Sequence, residues 1–255
     1  MPNPLIATTF VVPSAISGSA EAANHPHENV LLFTKFRRTY RNSTDVGTPS
    51  LIFDFGSATP LDGVFLNNAN FTLFNLAKSD DNVSFTNLYS AFQAVPMDDV
   101  INRRKLWSPA TAWLSAFNNR YLRLTMATVA TPSPGYYELG SVGFPKPVTT
   151  LTRNFGVPWN FRAIEPKTAL DYAGGGGEEN WEGTELAGFE LQFGPNVKAA
   201  RAQMMALRAI RSAPFFFYEN RGDLSHAYIL TRVEEVPWSE AQATLEAPWR
   251  FTETV

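Results

Sequence analysis

Across residues 50–144 the chain is divided into short runs that are either fully apolar or alternate between apolar and polar. They are Leu51-Ile-Phe-Asp-Phe-Gly-Ser, Leu61-Asp-Gly-Val-Phe-Leu-Asn-Asn, Arg120-Tyr-Leu-Arg-Leu-Thr-Met and Tyr136-Tyr-Glu-Leu-Gly-Ser-Val-Gly-Phe. Each is rich in β-branched or aromatic residues and bounded by Gly, Pro, Asn or Asp, a pattern that predicts β-strands joined by turns. A framework of this kind holds loops in place and brings no chemistry of its own, so it points to a binding or assembly module before an enzyme.

The second half has a different texture. It begins with the irregular, aromatic-rich Phe155-Gly-Val-Pro-Trp-Asn-Phe and reaches Gly174-Gly-Gly-Gly-Glu-Glu, which reads as a surface loop. Alternation over 185–193 predicts a strand, which Gly194-Pro195-Asn196 ends. Strong helix formers then predict a helix over 197–211. On its wheel Ala199, Ala202, Ala206, Leu207 and Ile210 share one side. Lys198, Arg201, Arg208 and Arg211 share the other, a basic stripe suited to an acidic partner surface. Further strands are predicted at Phe215-Phe-Phe-Tyr, at 227–233 and at 247–255. The fold class expected is therefore mainly β: an N-terminal jelly-roll sandwich over 1–148, then a small α+β sandwich over 149–255, with the boundary at Pro145-Lys-Pro-Val-Thr-Thr.

Composition narrows the chemistry. The 255 residues include 20 Phe, 8 Tyr and 6 Trp, an aromatic supply suited to strands and to protein or ligand contacts. With no cysteine, disulfides, thiolate nucleophiles and cysteine-containing zinc sites are excluded. A formal charge of −3 leaves no electrostatic footprint for nucleic acid. The apolar run over 5–12 has no Lys or Arg before it and is stopped by Pro13, which reads against a secretory signal, and no run is long enough to span a membrane.

Candidate catalytic groups are sparse. His25-Pro-His27 has no third ligand beside it and suits an exposed turn. Ser225-His226 are chain neighbours that a strand would point to opposite faces, so they read as a turn-flanking pair. The carboxylates at Asp80-Asp81, Asp98-Asp99 and Glu178-Glu179-Asn-Trp-Glu182 sit in turn-like contexts, and Asp80-Asp81-Asn82 is too short for a regular calcium loop. Arg221-Gly222-Asp223 after Asn220 has the composition of a tight turn. The Asn-X-Ser/Thr triplets at Asn42, Asn70 and Asn82 are uninformative in so Asn-rich a chain. No catalytic, metal or cofactor residue is assigned.

Leu51-Ile-Phe-Asp-Phe-Gly, Leu61-Asp-Gly-Val-Phe-Leu, the run from Phe74 through Lys78-Ser-Asp-Asp-Asn-Val-Ser-Phe-Thr, Tyr121-Leu-Arg-Leu and Tyr137-Glu-Leu-Gly-Ser-Val-Gly-Phe follow one another in the order and spacing of a known fold. Together they resemble the discoidin, or coagulation-factor C-type, galactose-binding-like jelly roll. Joined to Asn154-Phe-Gly-Val-Pro-Trp, the glycine-rich loop and the strand-helix-strand part, the chain looks like a minor or distal tail protein of tailed bacteriophages. That resemblance implies a non-enzymatic virion component, assembled in the host cytoplasm. It would form a homo-oligomeric ring through the C-terminal part, contact other tail proteins and carry the jelly roll as a peripheral or host-facing module. The alternative is a carbohydrate-binding module for host-surface glycans, with Trp107, Trp113, Tyr136 and Tyr137 as stacking platforms. A tail-associated glycan hydrolase, which would need a carboxylate pair, is the third reading.

Overall fold

The computed structural model describes residues 3–31, 39–43, 47–98, 103–129, 135–151, 160–164, 167–170, 179–182, 186–191, 209, 213–220, 222–232 and 249–253. Two antiparallel sheets form a jelly-roll sandwich. The six-stranded sheet runs in the order Ala15–Gly18, Ser50–Pro60, Asn118–Ala127, Leu73–Ser79, Thr86–Asn87, with Gln93–Ala94 also paired to Leu73–Ser79. The five-stranded sheet runs Tyr40–Arg41, Glu138–Gly143, Gly63–Ala69, Arg103–Pro109, Met97–Asp98. Alternation decides which residues meet between them. Leu51 and Phe53, Leu122 and Leu124, and Phe74 and Leu76 are buried against Val64, Leu66, Leu106, Leu139 and Val142. Phe144 closes the layer edge-on to Phe53, with ring centroids 5.0 Å apart.

A further seven-stranded sheet lies against the outer side of the five-stranded one. Its order is Thr149–Thr150, Leu5–Ala7, Phe215–Tyr218, Ala227–Arg232, Trp249–Glu253, Leu186–Leu191, Asn160–Ile164. The chain's first strand thus lies in this sheet, paired with Phe215–Tyr218, and not in the sandwich that follows it in sequence. Between the two layers Phe65 and Trp107 meet Ala7, Phe216, Tyr218, Ala227 and Ile229. Trp107 and Phe216 have ring centroids 4.6 Å apart, and the Trp107 backbone N–H donates to the Leu224 carbonyl at 2.8 Å. The Gly63–Ala69 strand is consequently buried on both faces except at Asn68.

That double burial explains what the sequence pattern misses. Arg103–Pro109 begins Arg-Arg-Lys and does not read as a strand, yet it pairs with Gly63–Ala69. Its register shifts between Arg104 and Leu106, a bulge at Lys105, and the Lys105 ammonium lies 3.5 Å from the Tyr228 ring centroid with the residue fully buried. Glu179–Glu182, expected in a turn-like context, forms a strand paired with Lys167–Leu170, placing Glu182 opposite Lys167. Asn160–Ile164, whose first two residues fall in the stretch expected to be irregular, pairs with Leu186–Leu191. The expected helix over 197–211 and the glycine loop lie outside the described residues, apart from Ala209, which is helical. No helix among the described residues is long and apolar enough to cross a membrane.

Candidate functional site

The four aromatics proposed as glycan platforms separate on burial. Trp107 is sealed between the sandwich and the outer sheet, at 1% exposure. Trp113 lies in the sandwich core, its indole N–H donating to the Ser108 hydroxyl at 2.9 Å, beside Tyr89, whose hydroxyl is 2.7 Å from the same oxygen. Tyr137 is buried too, its hydroxyl donating to the Gly47 carbonyl at 2.9 Å. These three rings build the core, so they are corrected from platform to scaffold. Tyr136 alone is part-exposed.

Tyr136 stands at the end of the sandwich where strands and loops from distant parts of the chain converge. Antiparallel register sets Arg41 directly opposite Glu138. The Arg41 Nη2 donates to Glu138 Oε1 at 3.3 Å, and its guanidinium carbon lies 4.8 Å from the centroid of the Tyr136 ring. Two asparagines hold this backbone in place. Asn70 accepts from the Glu138 N–H at 2.7 Å and donates to the Tyr136 carbonyl at 2.9 Å. Asn42 accepts from the Tyr137 N–H at 2.6 Å. Both belong to Asn-X-Ser/Thr triplets, and here their side chains act as clamps.

The neighbouring 19–31 segment is tied to the same end. His27 stacks on Tyr40 at 5.2 Å, with its Nδ1 2.9 Å from Glu21 Oε2 and its Nε2 2.9 Å from the Ser19 carbonyl. His25 Nδ1 lies 3.1 Å from the Thr39 carbonyl. Both imidazoles are thus engaged by protein groups. Burial first, and the charge of Glu21 second, push the Tyr40 phenol up to about 12. Among the described residues no three His, Asp or Glu side chains come together as a metal site.

The opposite end is internally satisfied. Arg120 makes a bidentate pair with Asp54, Nε to Oδ1 and Nη2 to Oδ2, both at 2.8 Å. Those bonds hold the Asp54 carboxyl below its usual range, burial opposes them, and the Gly56 N–H adds to the lowering. Asp81, weighed as part of a calcium loop, accepts from the N–H groups of Val83 and Ser84 and from the Ser79 hydroxyl. These bonds hold its carboxyl well below the ordinary value.

At the 219–227 turn, Ser225 donates both its N–H and its hydroxyl to Asp223 Oδ1, at 2.9 and 2.7 Å. His226 lies 3.9 Å from Glu219 and 3.8 Å from Asp223. Asn220 and Gly222 take the positive φ values, 58° and 90°, that such a turn needs. The basic stripe of Lys198, Arg201, Arg208 and Arg211 lies outside the described residues, as do Arg221 and the side chains of Asp98 and Glu178–Glu182.

No family model matches the chain, and no curated protein matches it. Solved structures do. The chain is similar to the CBM32 of AlyQ in complex with 4,5-unsaturated mannuronic acid, at 20% identity and TM-score 0.41, over 54% of this chain and 98% of that one. It is similar to CBM32-1 from a family 31 glycoside hydrolase of Clostridium perfringens, at 9% identity and TM-score 0.41, over 53% and 97%. It is also similar to reduced XRCC1 bound to the DNA pol beta catalytic domain, at 13% identity and TM-score 0.45, over 55% and 99%.

Proposed function

We propose that the protein is a glycan-binding module whose site is the loop end of the jelly roll, centred on Tyr136, Arg41 and Glu138. One observation carries the reading: a part-exposed aromatic ring stands beside a cross-strand Arg–Glu pair, and two asparagines clamp the backbone beneath them. Ligand sites commonly combine an apolar surface with a few fixed polar groups. The Tyr136 ring supplies area for the apolar face of a pyranose. Guanidinium donors and carboxylate acceptors side by side suit hydroxyl groups, which both give and accept hydrogen bonds. Because Arg41 and Glu138 neutralise each other, a neutral sugar enters without an uncompensated charge. The role is recognition, with no bond made or broken.

This reverses the order of the two readings drawn from the sequence. Membership of a phage tail, with a ring built by the 149–255 part, has no observation of its own among the described residues. It remains a proposal about where such a module would be mounted. A glycan array probed with the full chain tests the leading reading. Signal on neutral oligosaccharides that Tyr136→Ala removes, without a change in melting temperature, is the expected result. An array blank for the folded wild-type protein refutes it.

A further inference from the structure

The outer face of the six-stranded sheet is not covered by the additional sheet, and register fixes what it displays. One row across it reads Ser17, Ile52, Arg123, Ala77, Asn87; the rows on either side read Ala15, Asp54, Tyr121, Ser79 and Ser50, Thr125, Asn75. Arg123 therefore sits mid-face, with uncharged Ile52 and Ala77 directly beside it and Asp54 on the adjacent row. Its guanidinium carbon lies 4.2 Å from the centroid of the Phe85 ring, which the small Ala77 leaves room for. Ring contact of this kind holds the planar fork in one orientation.

The charge on this cation is met by no described residue. Among the described residues Arg123 makes no ion pair, and its Nε is buried without a hydrogen-bond partner. Burial pulls its pKa down from the ordinary arginine value, and a guanidinium remains charged in proteins. Asn75, diagonal to it and 9% exposed, has a buried Oδ1 that also lacks a partner. Asp54, on the neighbouring row, is paired with Arg120. Beyond Ser79, at the edge of the face, Asp80 accepts from Asn119 and the Arg120 N–H, and Asp81 from its own turn, so both keep their charge and neither is paired with Arg123. Arg123 thus stands mid-face with no described acid paired to it.

We propose that this face is a second binding site, in which Arg123 takes the carboxylate of a uronic-acid unit in an acidic polysaccharide. The guanidinium fork matches a carboxylate by two parallel hydrogen bonds. Phe85 and Tyr121, both part-exposed, flank it with stiff aromatic surface, a form that suits a ring of sugar better than an inserted peptide side chain. The sugar half of this inference rests on the glycan-binding reading; the carboxylate half rests on Arg123 alone.

The test is isothermal titration of the full chain with tetramers of galacturonate, mannuronate and glucuronate. Methyl-esterified galacturonate tetramer and a tetraglutamate peptide serve as comparisons. Binding is expected for at least one uronate tetramer, weakening as salt rises, with the esterified tetramer bound at least roughly tenfold less tightly. Arg123→Gln should lower the affinity by roughly ten- to hundredfold, the range set by charge-assisted hydrogen bonds, at an unchanged melting temperature. Tyr136→Ala should leave this binding intact, which separates it from the loop-end site. Equal binding by Arg123→Gln, or no binding to any of the three tetramers, overturns the proposal. Equal binding of tetraglutamate through Arg123 overturns the sugar half and assigns the face to an acidic peptide.

Discussion

Replacing Trp107 by alanine separates scaffold from site. The ring is 1% exposed and packs between Phe65, Phe216 and the outer sheet. A tryptophan buries about 150–250 Å2. At about 25 cal/mol per Å2 this is roughly 4–6 kcal/mol of transfer free energy, an upper figure because the unfolded chain hides part of it. Alanine keeps some of that burial and the cavity adds to the loss, which brings the expected cost to about 3–5 kcal/mol. For a chain of this size each kcal/mol moves the melting temperature by about 2–4 °C, so Trp107→Ala should lower it by about 6–20 °C. Circular dichroism melts of wild type, Trp107→Ala and Trp107→Phe provide the assay, with the phenylalanine variant intermediate. Tyr136→Ala, at a part-exposed ring, should stay within about 1 kcal/mol of wild type. A fall of less than about 2 °C for Trp107→Ala would show that the two layers do not depend on this ring and would sink the assignment of Trp107 to structure.

Two further outcomes follow from local geometry. Gly63→Ala would set a methyl group into the Trp107 ring and 2.6 Å from the Ser108 carbonyl oxygen, an overpacking cost of about 1–3 kcal/mol that a lowered melting temperature would report; an unchanged melt would mean the strand pair yields freely. Asp54 has a folded pKa below its unfolded value, so its contribution to stability is complete above about pH 4 and is lost as pH falls through the folded pKa. Asp54→Asn should therefore lower the melting temperature at pH 7 and flatten its acid-side decline, and parallel pH profiles for the two proteins would contradict the Asp54–Arg120 pairing.

Ser50–Pro60 was readable because one face of its apolar half is buried and alternation records it, as Leu51 and Phe53 against Ile52 and Asp54 show, and Gly63–Ala69, buried on both faces, was readable as an apolar run. The same rule failed at Arg103–Pro109. There both faces are buried, and a lysine is accommodated by a bulge and an aromatic ring, so the residues carry no period at all. The loop-end cluster was legible only in Tyr136. Arg41 lies 97 positions before Glu138, and Asn70 lies 68 before it, separations that only sheet register closes. Arg123 gave no signal in sequence, where a charged residue on the polar side of an alternating strand is ordinary. Its distinction is that no described acid pairs with it, a property of three dimensions.

Cation–aromatic pairing occurs in this chain at sites with different access, and access decides function. Lys105 on Tyr228 is fully buried. Arg41 beside Tyr136 stands at the loop end, and Arg123 on Phe85 stands part-exposed on the outer face of the six-stranded sheet. Chemistry alone would rank these three alike, and with them Arg120 beside Tyr121, whose charge Asp54 takes. A sandwich, however, offers only two outer faces and two ends. The additional sheet takes one face, through Trp107 and Phe216, and the Asp54–Arg120 pair and the Asp81 turn occupy one end with their own hydrogen bonds. What remains is one end and one face, each carrying a cation beside an aromatic ring. A ligand spanning both would have to bend around the edge of the sandwich, so the two sites should bind independently: Tyr136→Ala and Arg123→Gln should each remove one class of ligand and leave the other. Loss of both classes from either substitution would mean a single continuous site and would refute the division argued from the faces of the sheets.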